Sequence, residues 1–525
     1  MSILIPTALY SDPAWEFLVL KSMKAGAPFN CLDIPDMNDI SKNVQRLMTT
    51  WTPGPYLIPG IIERVSGLGL AASRIITILI CNLMGLAGLY RLFRFLEFSK
   101  FIAIFSVLII TAQRYYSLPF SIYTGGDLLL FGYLPWVIYF ALRHKEMRPP
   151  AALAFIALGL LGFTLHAKFL ISFIALILVL SVLRLSETFA DLPSISNPVK
   201  KIGALISRNL RHITTLAVIL ITVTGIAHFI FLSKGWSPVS TKGACGFVTA
   251  ASLALSGPLC DVFSVESLLL RLFRFPGYHY SFHIEDWLFY LPLAIVTISL
   301  LWLICFDRKM CFRYKVLLVC FFCVFAVILG WGFTRHVSFQ SRHMRIVGLI
   351  FLPGLLSLVY ERNRPVAVRG LFTAFILSMS LFSILGFINR KLHIMRTYAP
   401  GRYGISHGII DSEALNILHR LDDTLEGNNI FYVTSPEIAL EIENNRYIVS
   451  HADFESRAIL KSRAYRGACD SLFLFIQKSF AGNGKEAVIR ESFKDYKDFE
   501  TVAETPGFRV LRGVKKEPGN ITQND

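Results

Sequence analysis

The stretch that decides the fold is KFLISFIALILVLSVLRL, residues 168–185, in which only the lysine near one end and the arginine near the other are charged. A helix needs about 20 apolar residues to cross a bilayer, and fewer where it is buried among other helices. Runs of the same kind recur along the chain. The sequence therefore predicts ten membrane-spanning segments, at 67–90, 101–113, 126–142, 150–166, 168–185, 213–233, 287–306, 316–333, 346–360 and 370–388.

The composition points to the same class of protein. The chain has 525 residues, of which 54% are hydrophobic and only 17% are charged, too few to cover the surface of a soluble protein of this length. A formal net charge of +16 can indicate nucleic-acid binding. Here, however, lysine and arginine gather in short loops between apolar runs, as orientation signals do. We expect an α-helical polytopic membrane protein that binds membrane lipids and no nucleic acid.

The distribution of basic residues predicts the orientation. Alternate loops are rich in lysine and arginine, and the positive-inside rule puts these loops in the cytoplasm. Residues 11–66, the long loop 234–286 and everything after 389 then lie outside. The opening MSILIPTALY is interpreted as the outer half of an eleventh span whose inner half lies upstream; the alternative is a re-entrant or interfacial segment.

Three regions follow from this reading. Residues 1–66 form a truncated first span and an outer loop with amphipathic helices, and residues 67–388 form the membrane domain. Residues 389–525 form a small soluble α/β domain, because the apolar runs shorten there. NNIFYVTSPEIALEIENN predicts a strand and then a helix capped by Ser435, with Pro436 in its first turn. RYIVS, SLFLFIQ and FRVLRG predict further strands, and GKEAVIRESFKDY a helix.

Three acidic residues in two outer clusters are candidate catalytic residues. Asp12 and Glu16, in YSDPAWEF, lie four residues apart and share a helical face. An acid at the end of a span can have its protonation tuned and can act as a general base. Asp127 follows two glycines and is the only acid in a long apolar neighbourhood. The alternative is structural: Asp12 caps a helix that begins at Pro13, and Asp127 caps the span that follows it.

A third candidate cluster is GYHYSFHIEDWLFY, residues 277–290. His279, His283 and Asp286 have the spacing of one helical face, which suits contact with a substrate or with a divalent metal. The alternative is an interfacial aromatic belt. Cys245 and Cys260 lie in the same long loop and can form a disulfide if that loop faces an oxidising compartment.

The fourth cluster is TRHVSFQSRHMR, which is basic although it lies on the outer side. Cations held there suit the phosphate of a lipid-linked substrate, and Lys168 is one of several cations that add to the same field. Snorkelling of these side chains to lipid headgroups is the alternative. The candidate substrate-binding residues of this cluster are Arg335, Arg342, His343 and Arg345.

Together these features resemble the GT-C superfamily, the integral-membrane glycosyltransferases that use polyprenyl-phosphate sugars, with an architecture like that of protein mannosyltransferases. The resemblance lies in the acid of YSDPAWEF, the amphipathic loop after it, the passage TPGPYLIPGIIERVSGLGLAASRI that leads into the next span, and the outer C-terminal domain. It implies an inverting transfer from a lipid-linked sugar donor, with Asp12 or Glu16 as the base and Asp127 assisting. Some members also bind a divalent metal such as Mg²⁺ or Mn²⁺, for which Asp12, Asp127 and His283 would be the ligands here.

Two other classes stay open at the level of sequence. A transporter or flippase of a lipid-linked saccharide predicts inverted repeats and broken helices, and neither is visible. A non-catalytic membrane scaffold would use the 234–286 loop and the C-terminal domain only to bind partners. The chain shows no eukaryotic retention signal, so a bacterial inner membrane with a periplasmic C-terminal domain is the predicted location. The acceptor is not identified by any motif.

Overall fold

The computed structural model describes residues 7–9, 11–49, 51–113, 116, 123, 125–191, 198–232, 246–265, 287–334, 341–362, 364–450 and 455–515. These residues form a set of short elements near the start of the chain, a bundle of apolar helices and a C-terminal domain of strands and helices. The prediction of an α-helical polytopic membrane protein with a small α/β domain is confirmed.

The region before the bundle contains β1 (Thr7–Ala8), α1 (Ser11–Lys24), β2 (Cys31–Asp36), β3 (Asp39–Leu47) and α2 (Gly54–Ser66). β1 pairs in parallel with Ile405 and Ser406 of the C-terminal domain. The prediction that the opening decapeptide belongs to a membrane helix is therefore wrong at Thr7 and Ala8. An apolar run this short satisfies a strand as well as a helix, and here a partner strand is within reach.

The described part of the bundle consists of α3 (Leu70–Phe95), α4 (Lys100–Ala112), α5 (Gly126–Arg143), α6 (Pro149–Leu165), α7 (Phe169–Ala190), α8 (Pro198–Ala227), α9 (Phe247–Val262), α10 (Trp287–Phe306), α11 (Phe312–Phe333), α12 (Arg345–Tyr360) and α13 (Val366–Thr397). Each of the ten predicted spans falls on one of these helices. Among the described residues, seven stretches are long and apolar enough to cross a membrane: Leu70–Phe95, Phe169–Ala190, Ser207–Ile230, Phe289–Phe306, Phe312–Phe333, Ser341–Tyr360 and Val366–Thr397.

α9 corrects one expectation, because it is an apolar helix inside the stretch 234–286 that the sequence predicts as a loop. Its 16 residues are fewer than a bilayer requires, so a search for full-length spans passes over it. Two glycines let it lie close to its neighbours. A Cβ at Gly257 would stand 2.4 Å from Met344 Cγ, and one at Gly348 would stand 2.4 Å from Val262 Cγ2.

Small residues also bring α3 and α5 together. A Cβ added at Gly85 would lie 2.3 Å from Cε1 of Phe131, and one at Gly132 would lie 3.0 Å from the carbonyl oxygen of Cys81. In a membrane, where apolar side chains gain nothing by leaving lipid for protein, such close backbone approach is a main source of helix association. The packing of α3 against α5 places the first turn of α5 at the same end of the bundle as the first turn of α3.

The C-terminal domain contains β4 (Ala399–Pro400), β5 (Ile405–His407), α14 (Ser412–Thr424), β6 (Asn429–Val433), α15 (Pro436–Ala439), β7 (Arg446–Val449), α16 (Arg457–Lys461), β8 (Ser471–Gln477), α17 (Ser479–Gly482), α18 (Lys485–Ser492), β9 (Tyr496–Glu504) and β10 (Phe508–Lys515). Five strands form one sheet in the order β7-β6-β8-β10-β9, with β7, β6 and β8 parallel and the last two antiparallel. The predicted strands and helices are confirmed, including the cap, since Ser435 Oγ accepts from the Glu437 N–H. The sequence analysis did not predict β4, β5, α14, α16, α17 or β9.

The β2–β3 hairpin docks on this domain through backbone hydrogen bonds. Ile40 N donates to Arg466 O at 2.8 Å, and Arg466 N donates to Met37 O at 2.9 Å. The side chain of Arg446 adds a bond of 3.0 Å to Asn43 Oδ1. Residues 11–66 and the C-terminal domain therefore share one end of the bundle, which we call the domain face. This arrangement agrees with the prediction that both lie on the same side of the membrane, which stays a prediction.

Candidate functional site

The site begins with α1, which lies at the domain face and buries nearly all of its first three turns. Residues from Pro13 to Leu20 are all buried, whereas Asp12 is exposed. Asp12 lies within the first turn of a helix that begins at Ser11, so it does not occupy the position of a cap before Pro13. The helix dipole stabilises a carboxylate at any position in the first turn of a helix. The exposed side chain beside a buried helix makes Asp12 the solvent-accessible acid of the site.

Glu16, one turn further along α1, lies in a different environment, with only 4% of its surface exposed. Its Oε2 is buried and has no hydrogen-bond partner among the described residues. Burial raises the pKa of this carboxyl well above its usual range, and the negative charges of Asp12 and Asp127 raise the pKa further. Glu16 therefore favours its neutral form more strongly than an ordinary carboxyl does, and it lies next to an acid that is open to solvent.

Asp127 reaches the same place from α5. The helix begins at Gly126, and Gly125 before it has φ 62° and ψ −128°, a conformation that glycine adopts and other residues avoid. A Cβ at Gly125 would stand 2.6 Å from Glu16 Oε2. The turn thus lets the backbone pass against Glu16 and places Asp127 in the first turn of α5, two positions after Gly125, so that Gly125 and not Asp127 is the residue before the helix.

Two side chains from the short link between α6 and α7 hold Asp127. Oδ1 of Asp127 lies 3.0 Å from His166 Nε2 and 2.9 Å from Lys168 Nζ. The backbone N–H of Lys168 donates to His166 Nδ1 at 3.1 Å, so in the neutral ring the proton is on Nε2 and is donated to Asp127. Asp127 is consequently a fixed, charge-paired acceptor, unlike Glu16.

The basic side of the site comes from a 3₁₀ turn, Ser341–Met344, and the start of α12. Arg345 donates from Nε and Nη2 to the two oxygens of Asp261 at 3.0 and 3.3 Å, a buried two-point contact that ties α12 to α9. His343 is buried against the ring of Phe333, with 5.8 Å between ring centroids. Arg345 is therefore engaged by protein, which makes it a positioning residue for the turn.

Arg342 lies close enough to the acidic residues to affect them electrostatically, but among the described residues it forms no ion pair with them. Its Nε is buried and has no hydrogen-bond partner among the described residues. Although solvent reaches Asp12, the protein packed around its carboxyl partly desolvates it and raises its pKa; the nearby guanidinium of Arg342 opposes this rise, as does the ammonium of Lys168. The site therefore sets an accessible acid beside a guanidinium that is available to an anion.

The structure unites three of the four predicted clusters. Asp12 and Glu16, Asp127, and the turn with Arg342 converge at the domain face, together with Lys168. Sequence reasoning missed His166 and Asp261. His166 lies at the junction between two predicted spans on the outer side, and this position is the signal that could have identified it. Asp261 lies in the stretch that was predicted as a loop, where no signal pointed to it. Four predicted residues lie outside the described residues: His279, His283, Asp286 and Arg335.

Metal ligation and the disulfide have no further support here. No group of three or more His, Cys, Asp or Glu side chains with the arrangement of a metal site occurs in the described ranges, and the third proposed ligand, His283, is outside them. Cys260 is buried in α9, and Cys245 lies outside the described part of the chain.

The arrangement is suited to proton transfer next to an anion. One carboxyl is buried with a raised pKa, one is accessible, one is fixed by a lysine and a histidine, and a guanidinium stands near them. A comparison of the chain with models of known protein families found no match, and a comparison with functionally characterised proteins found none either.

Proposed function

We propose that this chain is an inverting membrane glycosyltransferase that moves a sugar from a polyprenyl-phosphate donor to an acceptor hydroxyl. The observation that carries the proposal is the convergence of Asp12 and Glu16 with Arg342 at the domain face. A transfer of this kind needs a base for the acceptor and a positive charge for the departing phosphate, and both stand in one place here. The GT-C resemblance of the sequence supports the same reading.

In the proposed reaction, Asp12 removes the proton of the acceptor hydroxyl while that oxygen attacks the anomeric carbon. The bond from the anomeric carbon to the phosphate oxygen breaks, and polyprenyl phosphate leaves with the electron pair. The raised pKa of Asp12 strengthens it as a base. Arg342 and Lys168 stabilise the charge that develops on the phosphate, and Lys168 also holds Asp127 in place.

The lipid part of the donor would reach the site from the membrane along α2. This helix buries Gly54, Pro55, Tyr56 and Pro59 but leaves Ile61 at 58% and Val65 at 82% exposed. An amphipathic helix with exposed apolar side chains suits the interface between headgroups and acyl chains. We place the site and the α/β domain on the periplasmic side of a bacterial inner membrane, as the positive-inside rule favours.

The test uses the full-length protein in detergent with a panel of polyprenyl-phosphate sugars, and measures the release of polyprenyl phosphate. We expect turnover of at least one donor, a loss of about 100-fold or more in Asp12→Asn, and weaker donor binding in Arg342→Gln. Asp36→Asn, in the same region but in the hairpin, is the matched control and should keep full activity. Absence of turnover across the panel, or equal rates for Asp12→Asn and the control, would refute the proposal.

A further inference from the structure

A second site lies at the end of the bundle opposite the domain face. A cavity of about 1050 Å³ opens there between α6, α7 and α8, near the start of α6. No residue of the candidate catalytic site is among those that line it. Its volume is at the upper end of the range for pockets that hold organic ligands. We call it the basic groove, after the side chains that line it: Arg148, Arg184, Arg208, Arg211 and His212.

The basic groove carries positive charge that the described protein does not neutralise. Arg148 forms an ion pair of 3.2 Å with Glu146, whereas within the described ranges no ion pair joins Arg184, Arg208 or Arg211 to a carboxylate. Guanidinium groups without a carboxylate partner favour an anionic ligand, and phosphate matches their fork geometry. The buried Nε2 of His212, which has no hydrogen-bond partner among the described residues, adds a further polar atom.

The position of the groove matches the boundary between lipid headgroups and acyl chains. The membrane-spanning stretch of α8 begins at Ser207, so Arg208 and Arg211 lie in its first two turns. Next to them, the groove is walled by Leu153 and Val218, which are 69% and 53% exposed. Charged groups at a helix end with exposed apolar side chains one or two turns deeper are the two halves of a phospholipid site.

We infer that the basic groove binds an anionic phospholipid of the leaflet opposite the domain face. Its phosphodiester lies against Arg184, Arg208 and Arg211, and its acyl chains lie along Leu153 and Val218. The apolar wall is what selects a lipid over a soluble phosphate, because a free anion gains nothing from it. The inference is independent of the proposed transferase reaction, since the two sites share no residue.

The experiment titrates the detergent-solubilised full-length protein with dioleoyl phosphatidylglycerol or dioleoyl phosphatidylcholine and counts bound lipid by native mass spectrometry. Arg208→Gln with Arg211→Gln should weaken phosphatidylglycerol binding by about 30-fold, given the electrostatic contribution of each arginine near a membrane surface. The matched control is Arg308→Gln with Lys309→Gln, which removes the same charge from exposed positions in the loop between α10 and α11. Its affinity should stay within about twofold.

A second variant tests the lipid half of the site without changing charge. Leu153→Asn with Val218→Asn should weaken phosphatidylglycerol binding as well, since both side chains are exposed and their loss does not open the core. Glycerol 1-phosphate, which has the headgroup anion and no acyl chains, should compete poorly. Equal affinity of the Arg208/Arg211 variant and the Arg308/Lys309 control for phosphatidylglycerol, or glycerol 1-phosphate binding as tightly as the lipid, would overturn the inference.

Discussion

Glu16 and Asp127 are two carboxyl groups of one site that the protein treats in opposite ways. Asp127 accepts from His166 and Lys168, whereas Glu16 Oε2 is buried without a hydrogen-bond donor among the described residues. A buried acid without a donor is costly when ionised, so it retains its proton to higher pH. Such an acid lowers stability at neutral pH, and that cost is typical of groups retained for function.

The first prediction concerns Glu16→Gln. Because the folded-state pKa of Glu16 is raised, its contribution favours folding below the ordinary carboxyl pKa and is lost as pH rises through the folded-state value. Gln cannot ionise, so the variant should be more stable than the parent chain at pH 7, by about 1 kcal/mol. Thermal unfolding from pH 4 to pH 8 should show this gap widening with pH. A variant whose deficit in stability grows as pH rises would show instead that Glu16 is ionised and paired.

At the scale of elements, the site depends on how the chain enters α5. Gly125 has positive φ and lies against Glu16, so the turn and the acid occupy adjoining space. The same use of glycine joins α3 to α5 at Gly85, where the ring of Phe131 takes the place of a side chain. Glycine is therefore required both at the turn before α5 and in the helix packing that supports this turn.

The second prediction concerns Gly125→Ala. Positive φ costs an alanine about 1–2 kcal/mol, and the Cβ contact with Glu16 Oε2 adds to that cost. A double-mutant cycle with Glu16→Ala separates the two effects, since removal of the carboxyl relieves only the contact. The free energy of unfolding should show positive coupling between the two sites. Additive effects would mean that the loop moves away from Glu16 at no cost.

The third prediction compares two helical glycines. Gly85→Ala should destabilise the bundle by about 2 kcal/mol, since overpacking of a tight contact typically costs 1–3 kcal/mol. Gly225→Ala in α8, where no heavy atom lies within 4 Å of the added Cβ, should be neutral or slightly stabilising. Thermal unfolding in one detergent measures both. Equal effects would contradict the close approach of α3 and α5.

At the scale of the whole molecule, a buried carboxylate, that of Glu441, links several elements of the C-terminal domain through hydrogen bonds. Glu441 accepts from His407 Nε2 at 2.7 Å, from His419 Nε2 at 2.9 Å and from the backbone N–H of Arg402 at 2.7 Å. These contacts join the strands after α13 to α14 and to the parallel sheet. β1, near the start of the chain, pairs with the same β5 strand that carries His407.

The fourth prediction concerns the pH dependence of this network. Burial tends to raise the pKa of Glu441, but the hydrogen bonds and charge of His407, with smaller contributions from Arg402 and His419, lower the pKa below its usual value. The stabilisation is therefore present above the ordinary carboxyl pKa and is lost as pH falls through the lowered one. Glu441→Gln should cost about 2 kcal/mol at pH 7, and the difference in unfolding free energy should shrink below pH 4.5. A pH-independent difference would exclude ionised Glu441.

More of the fold than of the site could be predicted from the sequence. Apolar runs such as 168–185 predict helices directly, because length and hydropathy alone decide whether a segment suits a bilayer. The same criterion did not predict α9, because its 16 residues are too few for a span. Contacts with α11 and α12 stabilise this helix, and a local sequence pattern does not reveal such contacts. Thr7 and Ala8 were assigned to a helix for the complementary reason, because their partner strand lies almost 400 residues away.

The sequence by itself determined the membrane character, the presence of a helix at each of the ten predicted spans, most strands of the C-terminal domain, and the candidacy of Asp12, Glu16 and Asp127. These properties depend on composition and local periodicity, which a single segment carries. Only the tertiary structure decided that Glu16 Oε2 is buried without a donor among the described residues, whereas His166 and Lys168 bind Asp127. It also decided that Arg345 pairs with Asp261. Burial and pairing are properties of several segments brought together, and the energy of a charged group depends on that surrounding rather than on its neighbours in the chain.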